Sequence, residues 1–173
     1  RSRVRRNGVN GISILEASSA CIGTNCSEDA LNVIARNGQS GIALSRNAQA
    51  SIRGNIIRNN AANGIFVSES STADTASNVI TGNGGDGIDV RRGSSVRMGR
   101  RNAPDSCRNN PNTTNQNNLN AGIGIDCQSL STVDGVLGSL NGANGAANLR
   151  DDNSNCPNCC FASVSLDPTK ERP

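Results

Sequence analysis

Few residues in this chain could do chemistry, and the absences narrow the field first. None of the 173 residues is His. Imidazole metal ligands, His general bases and Ser-His or Cys-His nucleophiles are therefore excluded. What remains is one set of charged groups and one set of thiols. Asp86, Asp89 and Asp126, with Arg91 near them in sequence, form the candidate catalytic set. Close carboxylates can act as general acid, base or nucleophile on a glycosidic bond, or hold calcium. They serve only if residue 126 is brought back beside residue 89, and the long segment between them does not prevent that.

The thiols are Cys21, Cys26, Cys107, Cys127, Cys156, Cys159 and Cys160. That number without a metal motif points to an oxidising compartment, hence an extracellular or cell-surface location. Cys21 and Cys26, five apart, are expected to form a local disulfide, and Cys107 could tie its own loop down. Cys156-Pro-Asn-Cys159-Cys160 has the spacing of a zinc or redox pair. With no His and no second C-x2-C, disulfides that close the C-terminal end are preferred. Seven is odd, so one thiol is left over or bonds another chain. No metal and no cofactor is expected.

The net charge is a mild +3. Arginines concentrate at Arg1, Arg3, Arg5 and Arg6, and again at Arg91, Arg92, Arg97, Arg100 and Arg101. They read as solvated surface, with a polyanion contact as the alternative. Phe66 and Phe161 are the only aromatics, which leaves no platform for stacking bases, so no nucleic-acid partner is expected. No apolar run is long enough to be a membrane span.

The elements that must position these groups announce themselves as a repeat. Gly-Ile recurs at Gly11, Gly41, Gly64, Gly87 and Gly122, with steps of 30, 23, 23 and 35 residues, and a further step of 23 reaches Gly145-Ala146. Four residues before each Gly stand Asn7, Asn37, Asn60, Asn83, Asn118 and Asn141. Seven before stand Val4, Ile34, Ile57 and Ile80, and three after stand Ile14, Leu44, Val67, Val90 and Ile125. Gly-Ile-x-(Ile/Leu/Val) alternates with the period of a half-buried strand. A second strand begins at Asn32, Asn55 and Asn78, and a third includes Ile52, Met98 and Val133. No run has helical spacing. A unit of 23 residues with two or three short strands, turned by Asn and Gly, is one rung of a β-solenoid.

Rungs stack at roughly 4.8 Å, so equivalent residues lie above one another and six rungs make a rod of about 30 Å. The Asn column is then a ladder of stacked amides, each able to donate and accept. Gly at the repeat position lets the chain bend tightly into the next strand. Five residues after each Gly come Glu16, Arg46, Glu69 and Arg92, then Cys127. Signs alternate from rung to rung, an ion ladder that penalises mismatched stacking.

The segments "RNGQSGIAL", "GNIIRNNAANGIFV" and "SNVITGNGGDGIDV" carry a resemblance to the right-handed parallel β-helix repeat proteins of the pectin-lyase-like superfold. The resemblance covers about residues 2–150. It implies an all-β right-handed solenoid of about six rungs, residues 1–150, followed by a Cys-rich tail or cap, residues 151–173. Insertions fall around residues 16–30 and 101–117. The stretch "GIGIDCQSLSTVDGVLGSLNGANGAANL" looks like the closing rung of secreted bacterial members, in which a Cys at the strand end pairs downstream. That likeness implies Cys127 with Cys156.

Enzymes of the superfold carry acidic clusters with His or Tyr motifs that are absent here. The expectation is thus a non-catalytic secreted solenoid with a structural or adhesive role. Ser2 and Val4 already occupy repeat columns, so the chain enters in mid-rung, which suggests end-to-end self-association into a filament or an upstream β-helix domain. The alternative is a carbohydrate-binding or polysaccharide lyase- or hydrolase-like module acting through Asp86, Asp89, Asp126 and Arg91.

Overall fold

The computed structural model describes residues 2–23, 31–99, 120–136, 149–151 and 161–165. Every element among them is a short strand, and every pairing is parallel. Each rung runs through three strands in turn. The first rung is β1 (Arg3–Arg5), β2 (Ile12–Leu15) and β3 (Ser19–Gly23). The second is β4 (Asn32–Ala35), β5 (Ile42–Ser45) and β6 (Gln49–Arg53). The third is β7 (Asn55–Arg58), β8 (Ile65–Val67) and β9 (Thr72–Ala76), and the fourth is β10 (Val79–Thr81), β11 (Ile88–Val90) and β12 (Ser95–Met98). Then come β13 (Ile125–Cys127), β14 (Thr132–Val136), β15 (Leu149–Asp151) and β16 (Phe161–Ser165).

Stacking gives sheet A, with order β1-β4-β7-β10, and two six-stranded sheets. Sheet B is β2-β5-β8-β11-β13-β15, and sheet C is β3-β6-β9-β12-β14-β16. Six strands deep, the solenoid has the expected depth. Its pairing runs past residue 150, where the sequence reading ends the rod, because β16 pairs with β14.

The pleat sorts side chains between inside and outside. Ile34, Ile57 and Ile80 point inward from sheet A. Ile42, Leu44, Ile65, Val67, Ile88, Val90 and Ile125 do so from sheet B, and Ala50, Ile52, Ala73, Val96, Met98 and Val133 from sheet C. The core is a stack of largely aliphatic columns, interrupted in sheet C where buried Thr75 sits between Ile52 and Met98.

Three sharp corners close each rung, and left-handed backbone makes them. Arg6, Arg36 and Asn59 turn the chain after sheet A with positive φ. Consecutive pairs do so after sheet B: Glu16 and Ala17, Arg46 and Asn47, Glu69 and Ser70, Arg92 and Gly93, Ser129 and Leu130. The repeat glycines have a different role from the bending expected of them. Gly41 and Gly64 are absent from the positive-φ set. A Cβ on Gly41 would lie 2.6 Å from Ile57 Cγ2, 2.7 Å from the Gly64 carbonyl and 2.8 Å from Asn60 Nδ2. Glycine is required there by the closeness of the next rung.

One register differs from the sequence reading. Ile88 pairs with Ile125, so Gly124, not Gly122, takes the repeat position of the fifth rung. The ladder residue four before it is Asn120; Asn118, like Asn141, lies outside the described residues. Likewise Leu149 pairs with Ile125, in the place the sequence reading assigned to Ala146.

Candidate functional site

The shifted register decides the geometry of the acidic cluster. Asp126, counted from Gly122, stood two positions away from Asp89's column. In the structure the two are direct cross-strand neighbours on the outer face of sheet B, continuing the column Ser13, Ala43, Phe66. Asp86 lies in the turn before β11. One carboxylate oxygen from each of Asp86, Asp89 and Asp126 falls within 4.8 Å of the others. The candidate set therefore does converge, and Arg91 joins it.

The neighbours of these carboxylates define what they can do. Asp89 Oδ1 accepts from Arg91 Nε at 2.7 Å, and its Oδ2 accepts from Asn63 Nδ2 at 2.8 Å. Asp126 Oδ2 accepts from Gln128 Nε2 and lies 4.0 Å from Arg91 Nη2. Asp86 Oδ1 accepts the Ile123 amide at 2.8 Å. Arg91 also lies over the Phe66 ring, 6.0 Å from its centre. Although they leave the outer face of the sheet, Asp89 and Asp126 are only 1% and 4% exposed. Burial, with the charges of Asp86 and Asp126 added, pushes the Asp89 carboxyl up to about 6, against the opposing pull of Arg91.

Three oxygens so close could begin a hard-cation site, which needs six to eight oxygens at about 2.3–2.6 Å. Here a guanidinium, two side-chain amides and a backbone N–H occupy the carboxylates instead. Asp86 belongs to a turn ladder: Asn63 Oδ1 accepts the Asp86 amide just as Asp86 accepts that of Ile123.

The Asn column forms two ladders. Asn7, Asn37, Asn60, Asn83 and Asn120 bond from rung to rung, each Nδ2 donating to the next Oδ1 at 2.8–3.0 Å. Asn32, Asn55 and Asn78 do the same at the corner before sheet A. A third ladder escaped the sequence reading. Ser71, Ser94 and Ser131 accept the Ala48, Ser71 and Ser94 amides through their hydroxyls. The signal was a Ser seven residues after the repeat Gly, hidden by Ala48 and by the misplaced fifth rung.

The charge ladder stands as a row: Arg46 reaches Glu16 at 2.8 Å and Glu69 at 3.9 Å, and Arg92 reaches Glu69 at 3.0 Å. Its next place is held by Ser129, whose carbonyl accepts the Gly93 amide, and not by Cys127, which points into the core. Cys127 is disulfide-bonded; Cys26, Cys107, Cys156, Cys159 and Cys160 lie outside the described residues. The expected Cys21–Cys26 bridge is corrected. Cys21 is an exposed free thiol, because in β3 its side chain leaves the outer face of sheet C beside Ser51.

An open concavity lies elsewhere, along the outer face of sheet C. A groove of about 590 Å³ runs across five rungs. One of its columns is Ser19, Gln49, Thr72, Ser95 and Thr132, and a second holds Ser51, Asp74, Arg97 and Asp134. It thus presents hydroxyls and an amide beside alternating charge.

A family model described as "Right handed beta helix region" matches residues 1–161. No curated protein and no solved structure matches the chain.

Proposed function

The chain belongs to the right-handed β-helix family, and from that premise we propose that it is a non-catalytic extracellular rod with an adhesive role, holding an extended hydroxyl-rich polymer in the groove of sheet C. The observation that carries this reading is the closure of the acidic cluster. Asp89 and Asp126 are buried and engaged by Arg91, Asn63 and Gln128, whereas the groove lies on a different sheet and shares no residue with them. A general acid must reach the oxygen it protonates, and no lining residue of the groove belongs to the cluster. The groove's regular rows of Ser, Thr and Gln suit a repeating polymer. The cysteine content and the disulfide at Cys127 support an oxidising compartment.

The test is incubation with neutral and uronate polysaccharides, with and without calcium, followed by assays for reducing ends and unsaturated products. The expected result is binding without turnover, the binding of the neutral polymers being lost in Thr72→Lys, which puts a long charged chain into the groove. Turnover that disappears in Asp89→Ala would overturn the reading in favour of a lyase or hydrolase. End-to-end association belongs to the same reading, since the edge of a parallel sheet can accept a further strand. Unreduced protein under negative stain should then show filaments, and dispersed rods would remove that part.

A further inference from the structure

The arginines that the sequence clusters into two runs are redistributed by the fold. Of the second run, Arg91 is bound to Asp89, Arg92 to Glu69, and Arg97 stands on sheet C; Arg100 and Arg101 lie outside the described residues. The first run gains members. Register puts Arg5 of β1, Ala35 of β4 and Arg58 of β7 in one outward column of sheet A. The corner that follows stacks Arg6 on Arg36, the Arg6 amide donating to the Arg36 carbonyl at 3.2 Å. With Arg3, five exposed arginines occupy one face over three rungs. Among the described residues none of the five makes an ion pair, while Arg46, Arg53, Arg91 and Arg92 all do. No described residue in these columns is acidic.

The contrast between two corners of the same rung is informative. After sheet B the stacked residues alternate in sign, Glu16, Arg46, Glu69, Arg92, as stability favours. After sheet A, Arg6 and Arg36 repeat one sign about 4.8 Å apart, and like charges in register destabilise. A face that keeps this repulsion is suited to a ligand that relieves it.

We propose that the outer face of sheet A is a docking face for an acidic polysaccharide lying along the rod axis. This goes beyond the groove reading: the face, the ligand charge and the residues all differ. Guanidinium forks bind carboxylate or sulfate groups in bidentate fashion, and the rung spacing presents them as a row. Beside that row, Val33, Ile56 and Val79 form a half-buried outward column. Such a low aliphatic strip can lie against the C–H faces of sugar rings. It projects no large apolar side chain for insertion into a bilayer, and the chain lacks Trp and Tyr for stacking on bases.

The test uses immobilised heparin and soluble alginate as probes, with the full chain and two single reversals of equal charge, Arg58→Glu on sheet A and Arg92→Glu at the corner after sheet B. Both side chains are exposed, and unchanged circular dichroism confirms folding. The expected result is retention of the parent chain on heparin, weakened about tenfold by Arg58→Glu and further by Arg5→Glu added to it, with the salt slope falling by about one for each arginine removed. Arg92→Glu should leave retention nearly unchanged. Equal losses in the two single variants would overturn the proposal, since net charge alone would then govern binding. Failure to bind either polymer would also overturn it. So would tighter, Arg58-dependent binding to vesicles of phosphatidylcholine and phosphatidylglycerol or to duplex DNA.

Discussion

At the scale of single residues, the informative group is Asp89. Its carboxyl is raised from 3.8 to about 6, chiefly because burial disfavours the charged form. Between those two values the folded chain holds a proton that the unfolded chain has released. Stability should therefore fall as pH rises through this window and level off above it, by at most roughly 3 kcal/mol. Urea denaturation of the parent chain should show a lower midpoint at pH 7.5 than at pH 4.5, this group's share being read by difference. In Asp89→Asn that slope should flatten, because the amide keeps an acceptor but has no proton to lose. A slope unchanged in the variant would mean that another group sets it. A carboxyl held near 6 and clamped by Arg91 at 2.7 Å has the titration range of a general acid.

At the scale of elements, the corners and their ladders hold register. A parallel strand could slide against its neighbour by two residues and still bury aliphatic side chains, because the pleat repeats every two. Sliding breaks the Asn ladders and sets Glu16, Arg46, Glu69 and Arg92 out of step. The ion row is exposed, so each pair contributes only about 0–1 kcal/mol. Reversing its middle member should be felt more. Arg46→Glu places three glutamates in succession, and melting at low salt should report a loss of about 1–2 kcal/mol. In 1 M NaCl the difference from the parent should largely vanish, since the screening length is then about 3 Å. A loss that persists in high salt would point instead to the left-handed corner, where Arg46 and Asn47 both carry positive φ.

At the scale of the whole molecule, the rod is a one-dimensional stack in which a rung meets only its neighbours. Ile57 is fully buried between Ile34 and Ile80 in sheet A, whereas Val4, in the edge strand β1, is half-buried with Ile34 on one side. Ile57→Ala should cost about 3–4 kcal/mol, the range of large-to-small changes in a packed core. Val4→Ala should cost about 1 kcal/mol or less. Equal losses in urea denaturation would argue against nearest-neighbour stacking. The stack also sorts surface chemistry by face: a buried acidic cluster on sheet B, an open polar groove on sheet C and, among the described residues, arginines without ion pairs on sheet A.

The sequence by itself determined the period, a rung of two or three short strands, most of the aliphatic columns, and the first four residues of the Asn and charge ladders. These are local repeats in which each rung states the same pattern, and a pattern stated five times is readable without coordinates. It also named Asp86, Asp89, Asp126 and Arg91 as the acidic set. Tertiary structure decided what repetition leaves degenerate. Gly122-Ile123 and Gly124-Ile125 are both Gly-Ile, and both have an Asn four residues before; only stacking Asn83 on Asn120 chooses between them. That choice moves Asp126 beside Asp89, takes Cys127 out of the charge row and places Ser131 in the serine ladder. Burial of the outward aspartates, the free thiol of Cys21 and the gathering of Arg5, Arg6, Arg36 and Arg58 on one face were likewise settled in three dimensions. Each depends on which residues of different rungs become neighbours, and spacing along the chain carries no information on that once insertions of unequal length intervene.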